Sequence, residues 1–323
     1  MDIEFGVIGL GRIGRGLARQ AALCGARVVG FDVNVEPETE SGDGLHIVGS
    51  ARDLAAALKP PRKVLLYVPA GPTVDQAIDG LLPNLAAGDV VVDGGNSYWG
   101  DSMARQEILK QQSVGFIDLG TSGGVPGTRE GACFMAGGEP EEFAKVEPIL
   151  SMLAVEGGYV HAGGPGAGHY VKLVHNGIEF GMLQAIGEGV AMLEKVSDRV
   201  NVSEVLETYT RGSVIRGWLM ELMAEAYRER EGMSEVPGYI EDTGEVNWLV
   251  EDAMRMEVAT PVITQSVLQL FQSRDGTRDW AKAVALMRRG FGEHPLGPDA
   301  SVAGSRGRSR VGPTGQYPAP KKP

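Results

Sequence analysis

Cysteine is nearly absent. Cys24 and Cys133 are the only two in 323 residues, too few and too far apart for a metal-binding thiolate cluster or a disulfide framework, so reduced and chemically bland thiols are expected. Long apolar runs are missing too. No stretch approaches 18 residues, which argues against a membrane span, and "MDIEFGVIGLG" enters a strand-like run without the basic lead of a targeting peptide. The cytoplasm is the expected location. Positive charge is also in short supply: 30 Lys and Arg face 42 Asp and Glu, a net −12, which repels nucleic acid and leaves no basic face to track its phosphates.

Glycine, in contrast, is abundant. The 47 glycines concentrate before residue 190, where the backbone must turn tightly or come close to a ligand. Two domains are expected from the length. β-branched runs at 3–8, 27–31, 64–68, 89–93 and 115–119 alternate with helical patterns, which predicts crossover units and a parallel sheet covered on both faces. "GACFMAGG" and "GGYVHAGG" are candidates to extend it. After Pro165 the pattern turns helical, over 167–195, 202–231, 245–257, 260–273 and 278–290. The expected architecture is an α/β Rossmann-type doubly wound domain over 1–164, then an all-α domain over 165–297. Residues 298–323, rich in Gly, Pro, Ser and Arg, read as a disordered tail.

"FGVIGLGRIGRGLARQ" places Gly9, Gly11 and Gly14 in G-x-G-x-x-G spacing between the first strand and the first helix. Gly9 permits the turn, Gly11 lets a pyrophosphate approach the backbone, and Gly14 lets helix and strand pack closely. Asp32 ends the second strand about 20 residues further on, where a carboxylate can accept hydrogen bonds from both ribose hydroxyls and would repel a 2′-phosphate. No arginine follows at 33 or 34, so NAD is favoured over NADP as the cofactor.

"GAGHYVKLVHNGIE" (166–179) opens the helical half. Lys172, Asn176 and Glu179 fall at i, i+4 and i+7, and His175 lies four before Glu179, so all share one helix face. A solvated polar stripe is the bland reading. Tyr170, Val171, Leu173, Val174, Ile178, Phe180 and Met182 make most other sides apolar, which places the polar groups in a cleft within protein.

These segments, with "DGGNSYWGD" (93–101), "IDLGTSGGVPGTREGACFMAGG" (117–138), "RGSVIRGWL" (211–219) and "FGEHPLG" (291–297), resemble the 6-phosphogluconate dehydrogenases, in particular the shorter NAD-type members. The likeness runs to about residue 297. It implies oxidation of a 3-hydroxy sugar acid followed by loss of its carboxylate. Lys172, with a pKa lowered by desolvation and the nicotinamide charge, would take the C3 hydroxyl proton and then polarise the new carbonyl; Glu179, as the neutral acid, would protonate C1 of the ketose product, the carbon that carried the carboxylate. The resemblance assigns substrate contacts to Asn96, Ser122, Gly123, Gly124, His175 and Asn176. Gly123 and Gly124 suit the role because a loop without side chains lets backbone N–H groups reach an oxyanion. It assigns cofactor contacts to Gly9, Gly11, Arg12, Ile13, Gly14, Asp32, Pro69, Ala70 and Asn96, and no metal. Asp93 and Asn96 could instead cap the helix that starts near Asp101. Arg288 and His294 match residues that enter a neighbouring subunit's site, which implies at least a homodimer.

The departures from the family pattern cluster where the substrate's terminal phosphate would bind. Phe180 stands for a tyrosine, Asn247 for a basic residue, Leu249 for a threonine and Leu270 for an arginine. Each lost charge-assisted bond is worth roughly 1.5 to 3 kcal/mol. Arg274 or an arginine of the tail could compensate. Three readings follow: an NAD-dependent 6-phosphogluconate dehydrogenase with a remodelled pocket; the same chemistry on 6-deoxy-6-sulfogluconate or an unphosphorylated aldonate; and a non-catalytic nucleotide-binding sensor. The presence of both Lys172 and Glu179 counts against the third.

Overall fold

A computed structural model describes residues 3–37 and 44–300. The tail expected beyond 297 lies, from residue 301 onward, outside the described residues. The chain divides into two compact units, Met1–Ile178 with Gly244–Ala259, and Glu179–Thr243 with Thr260–Pro323.

The first unit is built on one eight-stranded sheet of order β3-β2-β1-β4-β5-β6-β7-β8. Its strands are β1 (Glu4–Ile8), β2 (Arg27–Phe31), β3 (Leu45–Ile47), β4 (Lys63–Leu66), β5 (Val90–Asp93), β6 (Gly115–Ser122), β7 (Ala132–Gly138) and β8 (Ala154–Gly163). Helices α1 (Arg12–Leu23), α2 (Ala51–Ala57), α3 (Pro72–Leu81), α4 (Trp99–Lys110), α5 (Gly124–Glu130) and α6 (Pro140–Leu153) connect them. Successive side chains of a strand point to opposite faces, and both faces are packed here. Val7, Val28, Leu65, Val92 and Ile117 join α1 and α6 in one core. Their neighbours Ile8, Val29, Leu66, Val91 and Phe116 join α2 and α3 in the other. This double burial explains why the strands read as continuous apolar runs.

The sheet is not wholly parallel, as the sequence had suggested. β7 runs antiparallel to β6, and β8 pairs parallel with β7. Only the seven-residue α5 and short turns separate β6 from β7, whereas a parallel crossover needs a dozen residues or more. The short β3, absent from the sequence reading, adds a parallel edge beside β2.

α7 (Ala167–Glu194) begins just after the sheet ends, and the division between units falls within it. Its first turns belong with the sheet because bare backbone meets bare backbone there. A Cβ at Gly168 would stand 2.3 Å from the Asp118 carbonyl oxygen, and one at Gly137 would stand 2.4 Å from the Gly168 nitrogen. α10 (Glu245–Arg255) belongs to this unit as well. Its buried Asp252 accepts hydrogen bonds from Trp99 Nε1 (2.7 Å) and the Tyr98 hydroxyl (3.3 Å), and Trp248 packs edge-on to Tyr98.

The second unit is helical, with the rest of α7, α8 (Val202–Tyr209), α9 (Trp218–Glu229), α11 (Pro261–Arg274) and α12 (Asp279–Gly292). Val190, Val202, Leu206, Met220 and Ala224 form its core. The single helix expected over 202–231 is two. Gly212 (φ +66°) and Gly217 (φ +157°) take conformations that stop one helix and start the next, and Val214 stands 95% exposed between them.

Candidate active site

The glycine loop has the geometry a dinucleotide needs. Gly9 has φ +94°, and a Cβ on it would lie 2.3 Å from the Tyr67 carbonyl oxygen. A Cβ on Gly14 would lie 2.0 Å from Gly9 O and 2.9 Å from the Tyr67 Cβ, so α1 packs on the glycine turn with no room for a side chain. Gly11 meets nothing within 4 Å, which leaves open space before the N-terminus of α1. Arg12 there is exposed and Ile13 half-buried. Asp32 completes the loop from the side: one carboxylate oxygen accepts Leu10 N at 2.7 Å and the other Asn34 N at 2.8 Å. A carboxylate has lone pairs left for further donors. These residues fit a dinucleotide with free ribose hydroxyls.

Pro69 and Ala70 lie in the loop after β4, and Asn96 is exposed in the loop after β5, with its amide near Glu245 Oε1 at 3.5 Å. Arg105, a residue the sequence reading passed over, clamps both loops from α4. It is almost fully buried and donates to Gly71 O (3.1 Å), Asp75 (2.7 Å) and Asp93 (3.4 Å). A planar guanidinium suits three acceptors fixed in different directions. Asp93 also accepts from Ser97 Oγ (2.7 Å) and Gly95 N (3.1 Å). It therefore shapes its own loop. Neither Asp93 nor Asn96 caps α4, which starts at Trp99 with no side-chain cap.

Lys172, His175, Asn176 and Ser122 come together. Lys172 and Asn176 are buried. Lys172 Nζ donates to Asn176 Oδ1 at 2.7 Å and lies 3.3 Å from His175 Nδ1, while His175 Nε2 lies 3.1 Å from Ser122 Oγ. The imidazole thus has two consistent settings: Nδ1 accepts from the lysine while Nε2–H donates to the serine, or Nδ1–H donates to Asn176 Oδ1 (3.3 Å) while Nε2 accepts. Proton position on the histidine is coupled to the lysine. Room for Lys172 comes from Gly120, where a Cβ would lie 2.4 Å from the lysine Cβ. Gly123 (φ +115°) and Gly124 (φ +58°) follow Ser122 in backbone conformations that side chains disfavour.

Glu179 stands half-buried on the same helix, at i+7 from Lys172, and is the first residue of the second unit. Arg288, on α12, and His294, just after it, belong to that unit too. Among the apolar residues expected to wall the polar stripe, Val171, Ile178 and Met182 are instead exposed on the single chain. Arg274 is also committed: it pairs with Asp242 at 2.8 Å and lies over the Phe271 ring. Among the described residues no cluster of His, Cys, Asp or Glu could hold a metal ion, and no helix is long and apolar enough to cross a membrane.

The sheet order, the glycine loop and the acid at the end of β2 define a dinucleotide-binding domain. Residues 4–163 match the model of the NAD binding domain of 6-phosphogluconate dehydrogenase, and residues 168–290 match that enzyme's C-terminal domain. The NAD(+)-dependent, decarboxylating 6-phosphogluconate dehydrogenase of Haloferax volcanii is 38% identical over 297 residues, covering 91% of this chain and 98% of that one. The decarboxylating 6-phosphogluconate dehydrogenase of Bacillus licheniformis is 34% identical over 290 residues, 84% of this chain but 62% of its own length. The Plasmodium falciparum 6-phosphogluconate dehydrogenase structure shares the fold with a TM-score of 0.75 at 24% identity, covering 93% of this chain and 67% of that one. The chain belongs to the 6-phosphogluconate dehydrogenase family, and it is an NAD-binding, decarboxylating dehydrogenase.

Proposed function

We propose that the protein catalyses NAD-dependent oxidative decarboxylation of a six-carbon 3-hydroxy sugar acid. The observation that carries this reading is the buried Lys172, held by Asn176 and in hydrogen-bond reach of a histidine that itself reaches Ser122. NAD, when bound, supplies the acceptor for the hydride lost from C3. Lys172 takes the C3 hydroxyl proton, and the protonated amine then polarises the resulting ketone so that loss of the carboxylate as CO2 leaves an enol instead of a free carbanion. Glu179 delivers a proton to the carbon that carried the lost carboxylate, C2 of the acid and C1 of the product, and the ketose is released. His175, Asn176, Ser122, Gly123, Gly124 and Asn96 orient the carboxylate and hydroxyls. Asp32, followed by Val33 and Asn34 with no arginine at either position, supports NAD over NADP. Arg288 and His294 act in the site of a second copy of the chain, which makes the working enzyme at least a homodimer.

For the substrate's far end, 6-phosphogluconate is the first reading, by kinship with the family. A second has a specific observation behind it. Leu249 is packed in the core, and Arg274 is already occupied by Asp242, so neither offers a replacement grip on a doubly charged phosphate. A terminal sulfonate or hydroxyl asks less of that pocket. The deciding experiment follows NAD reduction and CO2 release by purified protein with 6-phosphogluconate, 6-deoxy-6-sulfogluconate and gluconate. A wide margin for the phosphate ester removes the second reading; no turnover of any six-carbon 3-hydroxy acid removes both.

A further inference from the structure

We propose that Asp118 is a positioning residue for this reaction: its buried carboxylate fixes the register of α7 against β6 and so the point at which Lys172 enters the site. The proposal rests on the reading of Lys172 as the acid–base group. Residues 118, 120 and 122 of β6 are alternate positions and face one way. Each meets a different turn of α7. Asp118 Oδ1 accepts from Gly166 N at 2.7 Å and its Oδ2 from His169 N at 2.8 Å. Gly120 lies against the base of Lys172, and Ser122 Oγ is 3.1 Å from His175 Nε2. The strand thus acts as a ruler along the helix.

Of the three marks on that ruler, Asp118 is the firm one. Gly120 supplies only space, and the serine–histidine contact has two proton settings. The carboxylate is fully buried and bridges two N–H groups at the helix start, where charge-assisted bonds and the helix dipole both favour an anion. Nothing cushions the contact, because Gly137 and Gly168 bring backbone against backbone around it. His169 is fixed a second time, through Nδ1 to Ser102 Oγ at 2.7 Å. Lys172 follows three residues later, less than one helical turn away. An error in the first turn therefore passes directly to the amine.

Asp118→Asn preserves shape but turns one acceptor into an amide NH2 donor that must face an N–H group. With the full-length enzyme, the expected result is a kcat lower by roughly 10- to 100-fold, as for a reacting group displaced by an ångström or so, with NAD affinity unchanged. A second readout needs no turnover: labelling of individual lysines by an amine-reactive reagent across a pH series, read by mass spectrometry. The rate and pH midpoint for Lys172 should change in the variant while those of the exposed Lys110 and Lys282 do not. If Asp118→Asn does not accumulate as folded protein, the smaller and neutral Asp118→Ser serves the same comparison. A folded variant with unaltered Lys172 labelling overturns the proposal, even if its melting temperature is lower. Wild-type protein inert towards every six-carbon acid would count against the proposed function alone, since the labelling comparison still reports on Asp118.

Discussion

Lys172 Nζ and Asn176 Oδ1 lie 2.7 Å apart, one turn from each other on α7 and both out of bulk water. An amide oxygen holds the amine in place without adding a charge that would fix it as the ammonium. Lys172→Ala should therefore lower kcat by at least about 100-fold, within the range for loss of a general acid–base, while NAD still binds with near wild-type affinity by fluorescence titration. A variant that turns over substrate normally would show that the amine takes no part in the chemistry.

The space beside that lysine is equally specific. Gly120→Ala places a methyl group 2.4 Å from the Lys172 Cβ, which should cost about 1–3 kcal/mol as overpacking and lower both melting temperature and turnover. Gly80, near the end of α3, has nothing within 4 Å. Gly80→Ala should leave activity intact and stabilise by about 0.5–1 kcal/mol. Parallel melts of the two variants separate a steric effect from the general effect of adding a methyl group.

Asp32 ties down the Leu10 amide, and the proposed function gives it a second duty at the ribose. Asp32→Ala should weaken NAD binding by about tenfold or more, as expected when a charge-assisted hydrogen bond is lost, with a smaller effect on NADP. A wild-type preference for NADP would contradict the assigned role directly.

Arg274 is bound to Asp242 and shielded by Phe271. Arg274→Gln should leave the KM of each sugar acid within about twofold and cost at most about 1 kcal/mol, the usual range for a partly exposed ion pair. A large rise in KM confined to the phosphorylated substrate would show that this arginine does reach the ligand.

Alkaline pH should destabilise the fold through its tyrosines. Tyr227 is pushed up to about 12, first by its hydrogen bond to the Glu194 carboxylate and then by burial. Tyr67 is raised by burial. Unfolded phenols ionise near pH 10, at about their reference value, so above that pH the native state retains protons that the unfolded chain gives up. The stabilisation is complete below pH 10 and is lost as pH climbs through the folded values. Melting temperature should fall between pH 10 and 12, and less steeply in Tyr227→Phe; thermal melts across that range test both.

Much of this was legible in the sequence because the signals are local. The glycine spacing, the acid after β2 and the shared helix face of Lys172 and Asn176 each depend on residues close along the chain; in the structure Asp32 accepts the Leu10 amide and Lys172 donates to Asn176. What escaped was non-local. Asp118 reads as one acid in an apolar strand until α7 is laid across it 48 residues later. Arg105 reads as a surface charge on α4, and nothing in its neighbours announces that it is buried between two loops. The break at Gly212–Gly217 was missed for the opposite reason: the flanking segments are strongly helical, and two glycines count for little in such a pattern.

The clamp made by Arg105 has a consequence for anyone who tries to redesign this enzyme. One guanidinium grips the end of the 69–71 segment and the base of the segment bearing Asn96, so the two cannot be retuned separately. If Pro69, Ala70 and Asn96 act as proposed, a library aimed at coenzyme choice near the first two will be felt on the sugar-acid side, and hits should be screened against both ligands from the first round.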